Sequence, residues 1–469
     1  MINVVYNEML VYDVDGRKLF PNSNLINYDV HPWHTMGPSG IQVISKKYNI
    51  DFPYTIKETD SHELISDLNT FNCHDFIELL DNNENDFTTR LLDEVYESKE
   101  HFIYPFVLYN NDLFSKYETI ELPGKLVELV KNKLGKICFY QPTEGFYGQS
   151  WTDFIWMSNF SKRYNFDKED VMVITPNMKA NEQKYELIEK EMFIDNFTIF
   201  EYSYFQHNLW FTTCRALNKG CISFLRKEFE KCLLINKENK KTHHFLSFNR
   251  ITKLHRVAIF AELMTNKDLM GKSIVTLAGT EDGYINRFYN MIDGGLADSY
   301  KHSKERLLKF YKNYDSRKSH TYDCDDLYNN KASNLNVDAH KTTFVNIVTE
   351  SLIHFNSVFF SEKTFKPMAC AQPFIMLGNP HSIRKLKEYG FMTFDKWWDE
   401  SYDDEFDFAI RLEKIVDVLK EISSWDMDKC YQVTQEMEEV FVNNFNVMVS
   451  DVEVRKLINL LRSGPKKLI

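Results

Sequence analysis

The run LPGKLVELVKNKLGKICFY (122–140) decides the class of fold. Leu126, Leu129, Val130 and Leu134 recur at helical spacing after Pro123-Gly124, and the spacing predicts an amphipathic helix that stops at Gly135. ICFY (137–140) then reads as an apolar strand. A loop, QPTEGFYGQ (141–149), leads to Ser150, a residue suited to cap a helix carrying Trp151, Phe154, Ile155 and Met157. VMVIT (171–175) is the next apolar strand. Continuous apolar strands alternating with helices are what a parallel sheet covered on both faces requires.

The theme returns after a polar link, NKENKKTH (236–243). Strands are expected at 245–248, 274–278, 344–349 and 374–377, with a helix over 252–269 behind the first. Residues 315–340 are polar and read as loop. From about 404 the pattern is helical, with Phe408, Ile410, Leu412, Ile415 and Leu419 near helical spacing and two further helices to 461. The first hundred residues offer only short apolar runs, 3–6 and 41–44, and a loop, DNNEND (81–86). The expected fold class is α/β with two Rossmann-like domains and a C-terminal helical tail. Its divisions are an N-terminal elaboration of the first domain (1–100), an acceptor-side domain (101–240), a second domain (241–403) and the tail (404–469).

Composition limits the function classes. The chain has 469 residues, enough for two or three domains at roughly 150 residues each. Its 56 Lys and Arg against 68 Asp and Glu leave a formal charge of −12, which argues against a uniformly basic nucleic-acid-binding surface but not against a local basic cleft. No apolar run approaches the roughly 20 residues of a membrane span, and the first ten residues lack a basic start with an apolar core, so a cytoplasmic protein is expected. The eight cysteines are scattered without CxxC or zinc spacing and read as reduced thiols.

Three segments can carry chemistry. In SEKTFKPMACAQPFIMLG (361–378), Ser361 can cap a helix whose first turns hold Glu362, Lys363 and Lys366. Two lysines at a helix N-terminus oppose the dipole, an inconsistency that a bound phosphate would relieve, and Glu362 suits ribose hydroxyls. Solvated lysines are the plainer alternative. In FLSFNRITKLHR (245–256), Arg250, Lys253 and Arg256 recur every three residues from a strand end into a helix, where guanidinium forks suit a diphosphate, or where they form a solvated basic face. Glu350 ends the strand FVNIVTES (344–351). For a general base, Glu144 in PTEG leads because it follows a strand at its carboxyl edge, with Asp153 and His207 behind it. No GxGxxG follows any strand. The triplets Asp13-Val14-Asp15 and Asp323-Cys324-Asp325 lack the context of a metal site, and no metal or cofactor is expected.

The order of FNR…HR, a strand ending in Glu350, SEKTFKPMACAQPFIMLG and GFMTFDKWWDESYD (390–403) resembles the donor-binding half of GT-B glycosyltransferases. It is most like the C-terminal domain of family-ten fucosyltransferases and is similar to bacteriophage glycosyltransferases that modify hydroxymethylated pyrimidines in DNA. The likeness covers about 245–403, although the helix reads KPMACAQ where the fucosyltransferases carry Asn-Ala-Leu-x-x-Gly. It implies two facing sheets, a nucleotide-sugar donor (UDP- or GDP-sugar) and no metal. It also implies that Arg256 and Lys363 contact the diphosphate, that Glu362 contacts the ribose, and that Glu350 lies near the transferred sugar.

The acceptor implied is a hydroxyl, foremost on hydroxymethylated pyrimidines in double-stranded phage DNA within a host cytoplasm. A glycan, lipid or protein acceptor, or a non-catalytic nucleotide-sugar-binding protein, are the alternatives. A DNA acceptor asks for a basic surface, which Lys125, Lys131, Lys133, Lys136, Lys162 and Arg163 can supply.

Overall fold

The computed structural model describes residues 2–6, 87–107, 122–141, 151–203, 205–206, 221–238, 241–249, 253–277, 335–353 and 356–462, and the structural statements below concern these. They form two compact units, Met1–Tyr204 with Asp451–Ile469, and Phe205–Ser450.

The first unit is built on β1 (Ile2–Tyr6), β2 (Phe87–Leu91), β3 (Phe102–Val107), β4 (Gly135–Tyr140), β5 (Val171–Thr175) and β6 (Thr198–Glu201), all parallel, in the order β2-β1-β3-β4-β5-β6. Its helices are α1 (Leu92–Ser98), α2 (Gly124–Lys131), α3 (Trp151–Tyr164) and α4 (Ala180–Glu189). Every residue of β4 and β5 is buried, which is why these strands read as unbroken apolar runs. The core beside them is aromatic: Phe139 stacks on Phe106 at 5.0 Å and meets Phe160 edge-on at 5.1 Å. Such pairs add about 1 kcal/mol each beyond the area they bury.

Within residues 1–100, β1 and β2 pair in register from Ile2↔Phe87 to Tyr6↔Leu91, and Val4 and Val5 are fully buried. Helix α2 ends earlier than its apolar spacing predicts. The left-handed residue after it is Lys133 (φ 61°), whose ammonium is held by Asp167 and Asp170. Gly135 serves a different purpose, since a Cβ there would lie 2.2 Å from the ring of Phe102.

The second unit contains α5 (Cys221–Asn236), β7 (His243–Asn249), α6 (Leu254–Thr265), α7 (Lys267–Gly271), β8 (Ser273–Leu277), α8 (Val337–Thr342), β9 (Thr343–Thr349), α9 (Glu362–Ala369), β10 (Phe374–Leu377), α10 (Ser382–Glu388), α11 (Phe408–Ser423), α12 (Met427–Glu436) and α13 (Glu438–Met448). Its four strands are parallel in the order β10-β9-β7-β8. The single helix expected over 252–269 is two, because the Asn266 side chain accepts from the N–H groups of Asp268 and Leu269 and starts α7.

The polar link at 236–243 does not divide the units. Asn236 Nδ2 donates to the Ala371 carbonyl at 2.8 Å, and Gln435 Nε2 donates to the Asn236 carbonyl at 2.7 Å, so α5 and the link lie within the second unit. The expected tail also splits. Helices α11 to α13 belong to the second unit, whereas α14 (Val452–Arg462) belongs to the first, where Lys136 Nζ reaches the Leu460 carbonyl at 3.5 Å. No helix among the described residues is long and apolar enough to cross a membrane.

Candidate functional site

In the second sheet the chain runs from β7 outward to β8, then places β9 on the other flank of β7. Strand order therefore reverses between β7 and β9, and in open parallel sheets the crevice beyond the carboxyl ends at such a reversal is where ligands bind. The residues at those ends are polar yet buried. Asn249 takes the Thr349 hydroxyl on its Oδ1, donates from Nδ2 to Ser247 Oγ at 3.1 Å, and donates its backbone N–H to Thr276 Oγ1 at 3.1 Å. This network joins three strands with a closed set of hydrogen bonds, as buried polar groups require.

Glu350, one residue beyond β9, organises what surrounds the network. Its Oε1 accepts the backbone N–H of Ser361 at 3.0 Å and the hydroxyl of Thr364, while Oε2 accepts the N–H of Ser351 at 3.0 Å. Its backbone carbonyl accepts from Nε2 of His255 at 2.6 Å, which fixes the proton on that ring nitrogen. Lys253 Nζ donates to the Ser351 carbonyl at 3.0 Å. Residues 350–351 thus hold the starts of α6 and α9 together. The carboxylate that the resemblance assigns to the transferred sugar is 1 % exposed and committed to the N-cap of α9.

Helix α9 is capped by Ser361, whose Oγ accepts from Lys363 N at 3.3 Å. Glu362 and Lys363 pair at 2.7 Å and are both mostly buried. Burial pushes the Glu362 carboxyl up, but Lys363 and Lys366 outweigh it and hold the group down at about 2. The two lysines at this N-terminus are therefore answered in part by the Glu362 carboxylate, leaving a net single positive charge. Arg256, in the first turn of α6, is 2 % exposed and shares the edge.

Of the residues expected from sequence, the structure brings Lys253, Arg256, Glu350, Glu362, Lys363 and Lys366 into the second unit, around one sheet edge and the helix that leads from it. Arg250, Glu144 and His207 lie outside the described residues, as do the acidic triplets at 13–15 and 323–325. Asp153 belongs to the first unit, in the first turn of α3 beyond the carboxyl end of β4, and is 5 % exposed. A carboxylate there also suits the helix dipole. His255, Thr364 and Asn249 were not among the expected residues, although each stands inside a quoted segment. Their polarity within otherwise apolar strand-to-helix turns is the signal that could have found them.

The basic surface offered for a nucleic acid is partly engaged within the protein. Of the basic residues offered for a nucleic-acid surface, Lys125 pairs with Asp93 at 2.7 Å, Lys133 is held by Asp170 and Asp167, and Lys136 is 5 % exposed. Of the six carboxylates at 399–407, Glu400 and Asp403 are buried, whereas Asp399 and Asp404 are exposed. Asp403 caps α10 through the N–H groups of Ile383 and Arg384, both at 2.9 Å, Glu400 accepts from Phe394 N, and Asp407 caps α11. Burial raises Asp403 to about 6. Among the described residues no group of three or more His, Cys, Asp or Glu is arranged to hold a metal ion.

Comparison with models of known protein families gives no match, and comparison with curated proteins gives no significant match, so any functional reading rests on the residues themselves.

Proposed function

We propose that the protein is a glycosyltransferase of GT-B type that moves a sugar from a nucleotide-diphosphate donor to a hydroxyl. The observation that carries this reading is that the N-termini of α6 and α9, which bear Arg256 and the Glu362–Lys363 pair, are both tied to residues 350–351 at the strand reversal of the second sheet. The resemblance over 245–403 rests on the same segments and agrees with it. In the reaction, the acceptor oxygen forms a bond to the anomeric carbon as the bond from that carbon to the diphosphate oxygen breaks. Negative charge grows on the leaving diphosphate, where Arg256 and Lys363, with Arg250, stabilise it. Glu362, ionised at neutral pH, accepts hydrogen bonds from ribose hydroxyls. Glu144 takes the acceptor proton, with Asp153 or His207 as the alternative base.

The acceptor we assign is a hydroxymethylated pyrimidine in double-stranded DNA, on the strength of the likeness to bacteriophage enzymes. The pairing of Lys133 with Asp167 and Asp170 and the burial of Lys136 favour a second reading, a glycan, lipid or protein hydroxyl. A transfer assay decides between them. Purified protein is given UDP- and GDP-sugars with hydroxymethylated DNA, unmodified DNA or an oligosaccharide mixture, and nucleoside diphosphate release is measured. Release that requires hydroxymethylated DNA is expected. Release with the glycan alone moves the acceptor to the second class, and no release above the Lys363→Ala control with any pair contradicts the enzyme reading.

A further inference from the structure

An exposed aromatic side chain stands at the carboxyl edge of the second sheet, beside the residues described above. Phe406 is 64 % exposed, the most exposed large apolar side chain among the described residues. A single exposed apolar residue is ordinary. Phe406 differs in how firmly the chain around it is held, and in what holds it.

Two links fix its place. The buried Arg411 guanidinium donates from Nη1 to the Glu405 carbonyl at 2.6 Å and from Nη2 to the Ile353 carbonyl at 3.0 Å, so the residue before Phe406 lies beside the segment that follows Glu350. The His381 N–H donates to the Asp403 carbonyl at 2.7 Å, which joins the same stretch to the turn after β10. β10 is the neighbour of β9: Leu377 pairs with Thr349, and the Glu350 N–H donates to the Leu377 carbonyl at 3.0 Å. Adjacent strands are about 4.8 Å apart. Phe406 therefore stands at the same end of the sheet as Glu350, whose carboxylate fixes the start of α9.

The local structure does not require the ring. Phe406 precedes Asp407, the N-cap of α11, and in a hydrophobic staple such a residue packs on an apolar fourth residue of the helix. The fourth residue here is Arg411, and Asp407 already accepts from the N–H groups of Ala409 at 2.8 Å and Ile410 at 3.2 Å. The ring instead meets His381, with centroids 5.1 Å apart and planes at 88°. In an edge-to-face pair only one ring offers its face, so at least one face of Phe406 is left uncovered by the imidazole. His381 is itself in the left-handed region (φ 69°), a conformation that costs energy for a residue with a Cβ and that clusters at ligand sites.

Charge narrows the occupant. Asp404 lies 3.8 Å from Nε2 of His381 and is 76 % exposed, while Lys414 pairs with Glu405 at 3.3 Å and Arg384 with Glu388 at 3.9 Å. The cations here are answered by carboxylates, which disfavours a phosphate. A heterocyclic base is neutral, offers a π face to the phenyl ring and presents N–H groups to a carboxylate.

We propose that Phe406 is the platform on which the base of the nucleoside diphosphate stacks, its diphosphate directed to the start of α9. This names a base-binding residue for the donor reading above and rests on that reading.

The test titrates UDP and GDP into the full-length wild-type protein, Phe406→Leu and Phe406→Trp, with Lys363→Met alongside and circular dichroism as the check on folding. Phe406→Leu keeps apolar bulk without a π face, and it is expected to weaken the nucleotide that binds by about fivefold or more. Phe406→Trp keeps the affinity, and the fluorescence it adds to that of wild type is quenched at saturating nucleotide. Unchanged affinity in Phe406→Leu, or an added signal in Phe406→Trp that nucleotide leaves unquenched, overturns the platform; if Lys363→Met still weakens binding, the donor reading stands without it. Absence of nucleotide binding to wild type overturns both.

Discussion

The carboxylate of Glu350 accepts the backbone N–H of Ser361 at 3.0 Å, so the residue that follows β9 also fixes the residue that caps α9. The same residue receives His255 on its backbone carbonyl, and the two helices that bear Arg256 and Lys363 are set by one short segment.

Glu350→Gln tests that arrangement. The amide keeps the shape but offers N–H groups where Ser361, Thr364 and Ser351 now donate, so at least one buried donor loses its acceptor. A stability loss of about 2 kcal/mol is expected in urea denaturation, from the cost of an unsatisfied buried group. Nucleoside diphosphate affinity falls by about tenfold as the α9 N-terminus loosens. Equal stability and equal affinity would show that the anchor does not position the site.

Two buried carboxylates make stability respond to pH with opposite signs. Glu362 is held at about 2, below its ordinary value of 4.5, so its contribution is fully present above pH 4.5 and is lost as pH falls toward 2. Asp403 is raised to about 6 from 3.8, so the folded state binds its proton more tightly and the protein loses stability as pH rises from 3.8 to 6. Each amounts to roughly 3 kcal/mol at most. Denaturation of Glu362→Gln against wild type should show a difference that shrinks only below pH 4.5, and removing Asp403 with Asp403→Asn should flatten the slope between pH 4 and 6.

In the first unit, Lys133→Met leaves Asp170 as a carboxylate 1 % exposed without its ammonium, which stands 2.7 Å away. Loss of about 3 kcal/mol is expected, the usual cost of stranding one member of a buried pair, reduced somewhat because Lys133 itself is partly exposed. The double variant Lys133→Met/Asp170→Asn should recover part of it, as measured by chemical denaturation.

For the reaction itself, Arg256→Ala should raise the donor KM by tenfold or more, since a buried guanidinium serving a diphosphate acts in binding as well as in the transition state. Glu144→Ala should lower kcat by about a hundredfold with donor binding kept. If Glu144→Ala leaves kcat intact while Asp153→Asn lowers it, the base belongs to α3.

Much of this fold was legible in the sequence because parallel strands covered on both faces cannot hide: all of β4, β5, β9 and β10 is buried, and each carries a mainly apolar run. β2 could not be read this way. Its sequence, FTTRL, is mixed, and it is a strand because it pairs with residues 85 positions earlier. Sequence also marked the segments around the candidate site, since Ser361, Glu362 and Lys363 form a capped helix start. It did not reveal what the carboxylate of Glu350 does, because the partners Ser361 and Thr364 lie 11 and 14 residues away in another element. Within 399–407, likewise, a capping carboxylate such as Asp403 and an exposed one such as Asp404 have the same letter.

The central claim is that the edge where β7 and β9 end binds a nucleoside diphosphate through Lys363. Isothermal titration of UDP and GDP into wild-type protein and Lys363→Met tests it most directly, with circular dichroism as the check on folding. The account predicts saturable binding of one of the two nucleotides, weakened at least tenfold in Lys363→Met. No binding of either nucleotide, or equal affinity in the variant, would contradict it.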